Sequence, residues 1–110
     1  MKQKLDETGF EKLNDFQIMQ KIVNGTFSRN RSYEFFKTKR GMALFKKAKI
    51  VSGFLDDLKN GAKMVSEKDE EEGKFITLEN SNEKYKRTVF MDKNMYSVFS
   101  LEKRVLNNLD

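Results

Sequence analysis

Residues 30–49 read NRSYEFFKTKRGMALFKKAK. Seven lysines and arginines stand there beside one acid, Glu34, and Tyr33, Phe35 and Phe36 fall within four positions. Cations neutralise phosphates and aromatic rings stack on bases, so this combination has the chemistry of a nucleic-acid grip. On a helix, Arg29, Lys37 and Arg40 share a face, with Arg31, Tyr33 and Lys39 beside them, and Lys46, Lys47 and Lys49 extend the charge. Further along, Lys84, Lys86 and Arg87 fall in a hairpin-like stretch that would reach a nucleic-acid backbone. The alternative is an amphipathic helix whose cations only solvate its outer face, the inner face holding Phe36, Leu44 and Phe45. Base stacking by Tyr33, Phe35, Phe36 and Tyr85 has the same rival, since phenylalanine at helical spacing is core; the two tyrosines are the more exposed expectation. Arg29 and Arg31 fall near a helix start, against the helix dipole.

Two other groupings could bear chemistry. Glu72-Gly73-Lys74 leads into a strand-like stretch, and Asp56 and Asp57 lie upstream, the outline of a nuclease that holds Mg²⁺ and activates water. The aspartates, however, sit in a helical pattern, and Glu-x-Lys arises by chance in a chain with 22 Lys and Arg and 17 Asp and Glu. The acidic run Glu67, Asp69, Glu70, Glu71 and Glu72 lacks the asparagine and glycine positions of a calcium loop. It would equally contact a basic partner or shield the basic block. Cysteine and histidine are both absent. That removes thiolate nucleophiles, disulfides, Cys-rich metal sites and the usual neutral-pH base. A serine or threonine nucleophile would then need a lysine base, which nothing marks. The expectation is no enzyme, no metal and no cofactor.

The net charge of +5 is unevenly spread: residues 21–51 carry +8, and residues 52–83 carry −5. A block of one sign suits an anionic partner, or pairing with the acidic block that follows it. The opening MKQKLDETGF is charged and has no apolar segment of a secretory signal, and the longest apolar run is Met42–Phe45. A cytoplasmic protein without a membrane span is expected.

The elements that would position these residues begin with helices. Thr8-Gly9-Phe10-Glu11 fits a capping box, Phe10, Leu13, Phe16, Met19 and Val23 recur at helical spacing, and Asn24-Gly25 ends the run, predicting a helix over Gly9–Val23. Ser28 or Ser32 would cap a second helix running to about Arg40, with Gly41 as a break or a tolerated interior glycine. Leu44, Ala48, Val51, Leu55, Leu58, Ala62 and Val65 then form an unbroken seam. It faces the rest of the fold or, through Leu44, Val51, Leu55 and Leu58, a second copy. Asn60-Gly61 would end that helix near Lys59, while the seam argues for Val65. SEKDEEEG reads as a solvated loop, KFITLE and KYKRTVFM as strands, and NSN as a turn. MYSVFSL reads as a third strand, with a helix from Asp92 as its rival, and SLEKRVLNNLD as a short helix.

A single α+β domain over 1–110 follows: a helical half 9–65, a charged loop 66–73, a β-rich half 74–101 and a C-terminal helix 101–109. Two to three helices would pack on an antiparallel hairpin or three-stranded meander. The expected function is a small basic nucleic-acid-binding regulator, with helices around Gly41 and a following hairpin giving a winged-helix outline; Lys37, where a tight turn would bury a small residue, fits that outline poorly. By composition the chain resembles small accessory proteins of phages and mobile elements. That resemblance implies either such a regulator or, as the alternative, an inhibitor docked on a host nucleic-acid enzyme such as a CRISPR effector. Its anchors would be Arg31, Tyr33, Tyr85 and Arg87.

Overall fold

The structure, a computed structural model, describes residues 12–26 and 29–108, with side chains at 12–26 and 33–106. In chain order the elements are α1 (Asp15–Asn24), α2 (Arg29–Phe36), α3 (Lys39–Lys59), β1 (Lys63–Glu70), β2 (Gly73–Asn80), β3 (Tyr85–Asp92) and α4 (Lys93–Asn108). The fold is α+β. The three strands form one antiparallel sheet in the order β1-β2-β3; α1, α3 and α4 pack on one another, with α3 and α4 against the sheet.

The chain signals the start and stop of α1, but at a different residue than expected. Asn14 accepts a hydrogen bond from the Gln17 N–H at 2.8 Å, and Gln17 accepts one from the Asn14 N–H at 3.0 Å. This reciprocal cap starts the helix at Asp15 rather than Gly9; the Thr8–Glu11 box lies outside the described residues. Gly25 closes the helix at φ 75°, in the left-handed region that glycine enters freely.

The break between α2 and α3 falls at Lys37–Thr38, not at Gly41. Thr38 caps α3 by accepting from the Gly41 N–H at 3.0 Å, while its hydroxyl donates to the Phe35 carbonyl at 2.6 Å. Gly41 is buried in the first turn of α3, where a side chain would run into the Phe35 carbonyl and the Phe36 backbone. The glycine therefore permits the close approach of two helices.

Asn60 and Gly61 end α3, with Gly61 at φ 102°. The seam does not prolong the helix to Val65: Ala62 is buried after the turn and Val65 is exposed. Leu44, Val51 and Leu55 are buried and Leu58 packs against the core. The seam that was a possible dimer face is interior.

The charged loop expected at 66–73 is the largest correction. KMVSEKDE is edge strand β1, joined to β2 by a turn at Glu71–Glu72. Only Met64 among its residues is even half-buried. No apolar alternation marks the strand, because its pairing with β2 holds it rather than a buried face. The charges also blunt a free sheet edge. KFITLE and KYKRTVFM are β2 and β3 as expected. The 95–101 segment is helix rather than strand: Asp92 accepts from the Met95 N–H at 2.9 Å and starts α4 there. The C-terminal helix is thus 16 residues long and begins at Lys93, not at 101.

Register places Ile76, Leu78, Val89 and Met91 on the helix side and Phe75, Thr77, Thr88 and Phe90 on the solvent side. The core gathers Ile18, Met19, Phe35, Leu44, Ala48, Val51, Phe54, Leu55, Ile76, Leu78, Met91, Val98 and Phe99. The buried Asn80 is satisfied, donating to the Asn60 carbonyl at 3.2 Å and accepting from the Glu83 N–H at 3.0 Å. Among the described residues, no helix is long and apolar enough to cross a membrane.

Candidate nucleic-acid interface

The corner between α2 and α3 determines which of the basic residues stand together. Helical periodicity turns Leu44, Ala48, Val51 and Leu55 inward and sends Lys39, Met42, Lys46, Lys49 and Ile50 outward. From residue 35 to residue 55 the chain has no acid. Among the described residues, Lys39, Lys46 and Lys49 have no acidic partner. The Lys49 ammonium lies 5.8 Å from the Phe45 ring centroid. At the break after α2, the Lys37 ammonium sits 4.8 Å from the Tyr33 ring centroid and 3.3 Å from Glu34.

Other cations of the block are tied down. Arg40 donates to Asp15 at 2.9 and 3.1 Å and to the Leu13 carbonyl at 2.9 Å, fastening α3 to the start of α1. Lys47 meets Asp92 at 2.8 Å, fastening α3 to the β3–α4 junction. Burial pushes the Asp92 carboxyl up, but Lys47 and the N–H groups of Met95 and Asn94 outweigh it and hold the group below its ordinary value. Arg87, at a helix-side register position but exposed, lies 3.6 Å from Asp57 and 5.5 Å from the Tyr85 ring. Burial, then the neighbouring Asp57 carboxylate, raises the Tyr85 phenol. Arg40, Lys47 and Arg87 are thus each paired with an acid of another element, with their side chains about half exposed.

Lys84 and Lys86 are exposed, but Lys86 pairs in register with Glu79 on the solvent side of the sheet. That side faces away from α3, so the hairpin cations and the α3 cations form two separate surfaces. Arg29 and Arg31 lie in the first turns of α2; their side chains are outside the described residues. Phe35 is 4% exposed and is core, whereas Tyr33 is 63% exposed.

Sequence reading did not single out the apolar part of this surface. Met42, Phe45 and Ile50 are 49%, 36% and 39% exposed. Phe36, Met42, Phe45 and Lys46 line a shallow depression of about 200 Å³, in which the Phe36 and Phe45 rings pack against each other with centroids 5.3 Å apart and planes tilted by 55°. Met42 and Ile50 stand off the seam, so their outward placement was legible once the seam was assigned to the interior; Phe45, expected on the inner face with Phe36 and Leu44, is instead part-exposed.

The nuclease-like residues are not brought together. Asp57 meets Arg87 beside the end of β2, while Glu72 and Lys74 lie at its start. Among the described residues, no group of three potential metal ligands assembles. Lys74 is instead part of a tether between the hairpin and α4. Tyr96 donates to Glu67 at 2.6 Å, and Lys74 lies 3.2 Å from the same oxygen and 2.6 Å from Asp69. The Tyr96 bond first, and then Lys74, hold the Glu67 carboxyl below its ordinary 4.5. Asp69 and Glu67 hold the Lys74 ammonium well above its ordinary value, and Glu67 raises the Tyr96 phenol.

A carboxyl depressed in the folded state adds stability above its unfolded pKa and loses it as pH falls through the folded value. Acidification from pH 7 to about 3 is therefore expected to lower Tm as Glu67 and Asp92 protonate. Glu67→Gln should flatten part of that drop in thermal melts. An unchanged drop would place the titrating groups elsewhere.

Comparison with protein-family models, with curated proteins and with solved structures finds no match to this chain.

Proposed function

We propose that the protein is a small, non-catalytic nucleic-acid-binding regulator that grips phosphates through the outer face of α2 and α3, in the cytoplasm. The observation that carries this reading is the row Lys39, Lys46 and Lys49. These cations share one helix face, and no acid intervenes between residues 35 and 55. Neither α2 nor α3 has an acid in its first turn, although acids there would favour both helices. A local rule set aside at two adjacent helix starts fits a surface kept positive for an anionic ligand. Two helices meeting at a tight corner, the second presented outward, also resemble the outline of a winged helix. The hairpin cations would then act as a separate patch rather than as a wing beside α3.

The test is fluorescence anisotropy with labelled oligonucleotides at 50 and 200 mM salt. Binding should weaken with salt, and replacing Lys39, Lys46 and Lys49 by glutamine should lower the log–log salt slope by about 2 on a single strand. Lys84→Gln with Lys86→Gln should leave that slope unchanged. No binding at 50 mM overturns the reading.

A second reading has its own support. Met42, Phe45 and Ile50 are exposed apolar groups inside a basic frame, as at protein interfaces. Asp69 to Glu72 place four acids in succession at the β1–β2 tip. An inhibitor of a host nucleic-acid enzyme, of the anti-CRISPR kind, would use one surface or the other.

A further inference from the structure

The phosphate reading accounts for the lysines but not for the apolar depression between them. Its walls are two phenyl rings and a methionine, with Lys46 at the edge. The lysines frame it along the helix: Lys39 and Lys46 are two turns apart, roughly 10 Å, and Lys49 is roughly 4.5 Å further on. The Tyr33 ring, already beneath the Lys37 ammonium, stands exposed at the α2 side.

We infer that the depression between Phe36, Met42 and Phe45 receives one unstacked base, so that this face binds single-stranded rather than duplex nucleic acid. The inference rests on the phosphate reading and names the ligand class of the same site. A base inside a duplex offers its edges, because its faces are stacked on neighbours; a single strand can turn a face outward onto an aromatic ring. Phe45 and Met42, both part-exposed at the depression, offer aromatic and apolar surface for such a base. Methionine adapts its shape to irregular apolar partners. The cations along the rim suit the phosphates on either side of a base seated there. The other exposed ring pair, Phe75 and Phe90, meets edge-on at 5.2 Å on a face of mixed charge, where Lys63, Lys68 and Lys86 stand beside Glu70 and Glu79, whereas no acid interrupts the α3 row. An acidic protein segment would meet the same charges but would have no need of ring faces, and it serves as a competing outcome of the test.

The experiment uses the full chain and three labelled probes of equal length: single-stranded oligothymidylate, a duplex, and an abasic strand that keeps the phosphates without bases. At 50 mM salt the single strand should bind at least tenfold more tightly than the duplex or the abasic strand. Phe45→Leu keeps apolar volume and removes the ring; it should weaken single-strand binding about tenfold, leaving the abasic strand and the salt slope unaffected. Met42→Ala, at an exposed position, provides a second variant, and thermal melts confirm that both remain folded. Equal affinity for all three probes, with no effect of Phe45→Leu, overturns the base site and leaves the phosphate grip standing. No binding of any probe overturns both. Tight, Phe45-dependent binding of polyglutamate without preference for the single strand overturns the inference in favour of an acidic protein partner.

Discussion

Phe54→Ala is expected to destabilise the protein by about 3–5 kcal/mol. Phe54 is 1% exposed and meets the Phe99 ring at 6.3 Å, where α3 and α4 join. Truncation removes the apolar transfer gain of the ring and leaves a cavity between two helices whose backbones are held elsewhere by the Lys47–Asp92 pair and the Asp92 cap. A domain of this size has about 5–15 kcal/mol of stability in total. The loss should therefore appear as a fall in Tm of roughly 15 °C, and as a lower denaturation midpoint at an unchanged slope. Phe75→Ala provides the contrast: that ring is 41% exposed on the solvent side of the sheet, and its loss should cost about 1 kcal/mol or less. Equal losses at the two positions would mean that the α3–α4 contact is not the centre of the core.

Gly41→Ala is expected to destabilise by about 2–3 kcal/mol, although alanine is the better helix former by about 1 kcal/mol. The added methyl group would meet the Phe35 carbonyl and the Phe36 backbone, and backbone cannot swing aside as a side chain can. The corner between α2 and α3 must open, which shifts Phe36 away from Phe45. Oligonucleotide binding should then weaken with every lysine still in place. Gly53→Ala tests the sign. Gly53 lies in the same helix with nothing within 4 Å of an added methyl group. There alanine should stabilise by about 0.5–1 kcal/mol. A pair of chemical denaturation curves reads both; stabilisation by both substitutions would show that Gly41 is not a packing glycine.

Much of this architecture is written in local residue chemistry. The α3 seam, the Asn24-Gly25 and Asn60-Gly61 stops, and the KFITLE and KYKRTVFM strands depend on spacing and on glycine's access to positive φ. Neighbouring residues along the chain carry those signals. The basic character of residues 21–51 is likewise a property of composition alone.

Tertiary structure decided the rest, because the deciding contacts join residues far apart in the chain. KMVSEKDE is a strand because β2 supplies its hydrogen-bond ladder and Tyr96 and Lys74 engage its acids. MYSVFSL is a helix because Asp92 caps it and Met95, Val98 and Phe99 pack together in the core, a face that β-rich composition disguised. The basic block illustrates the same principle at the candidate site. Sequence supplies the cations, but Asp15, Asp92 and Asp57 pair with Arg40, Lys47 and Arg87 across elements, and the sheet sets Lys86 on its far side. Charge is a one-dimensional property of this chain. Which charges remain available to a ligand is set by where the acids fold.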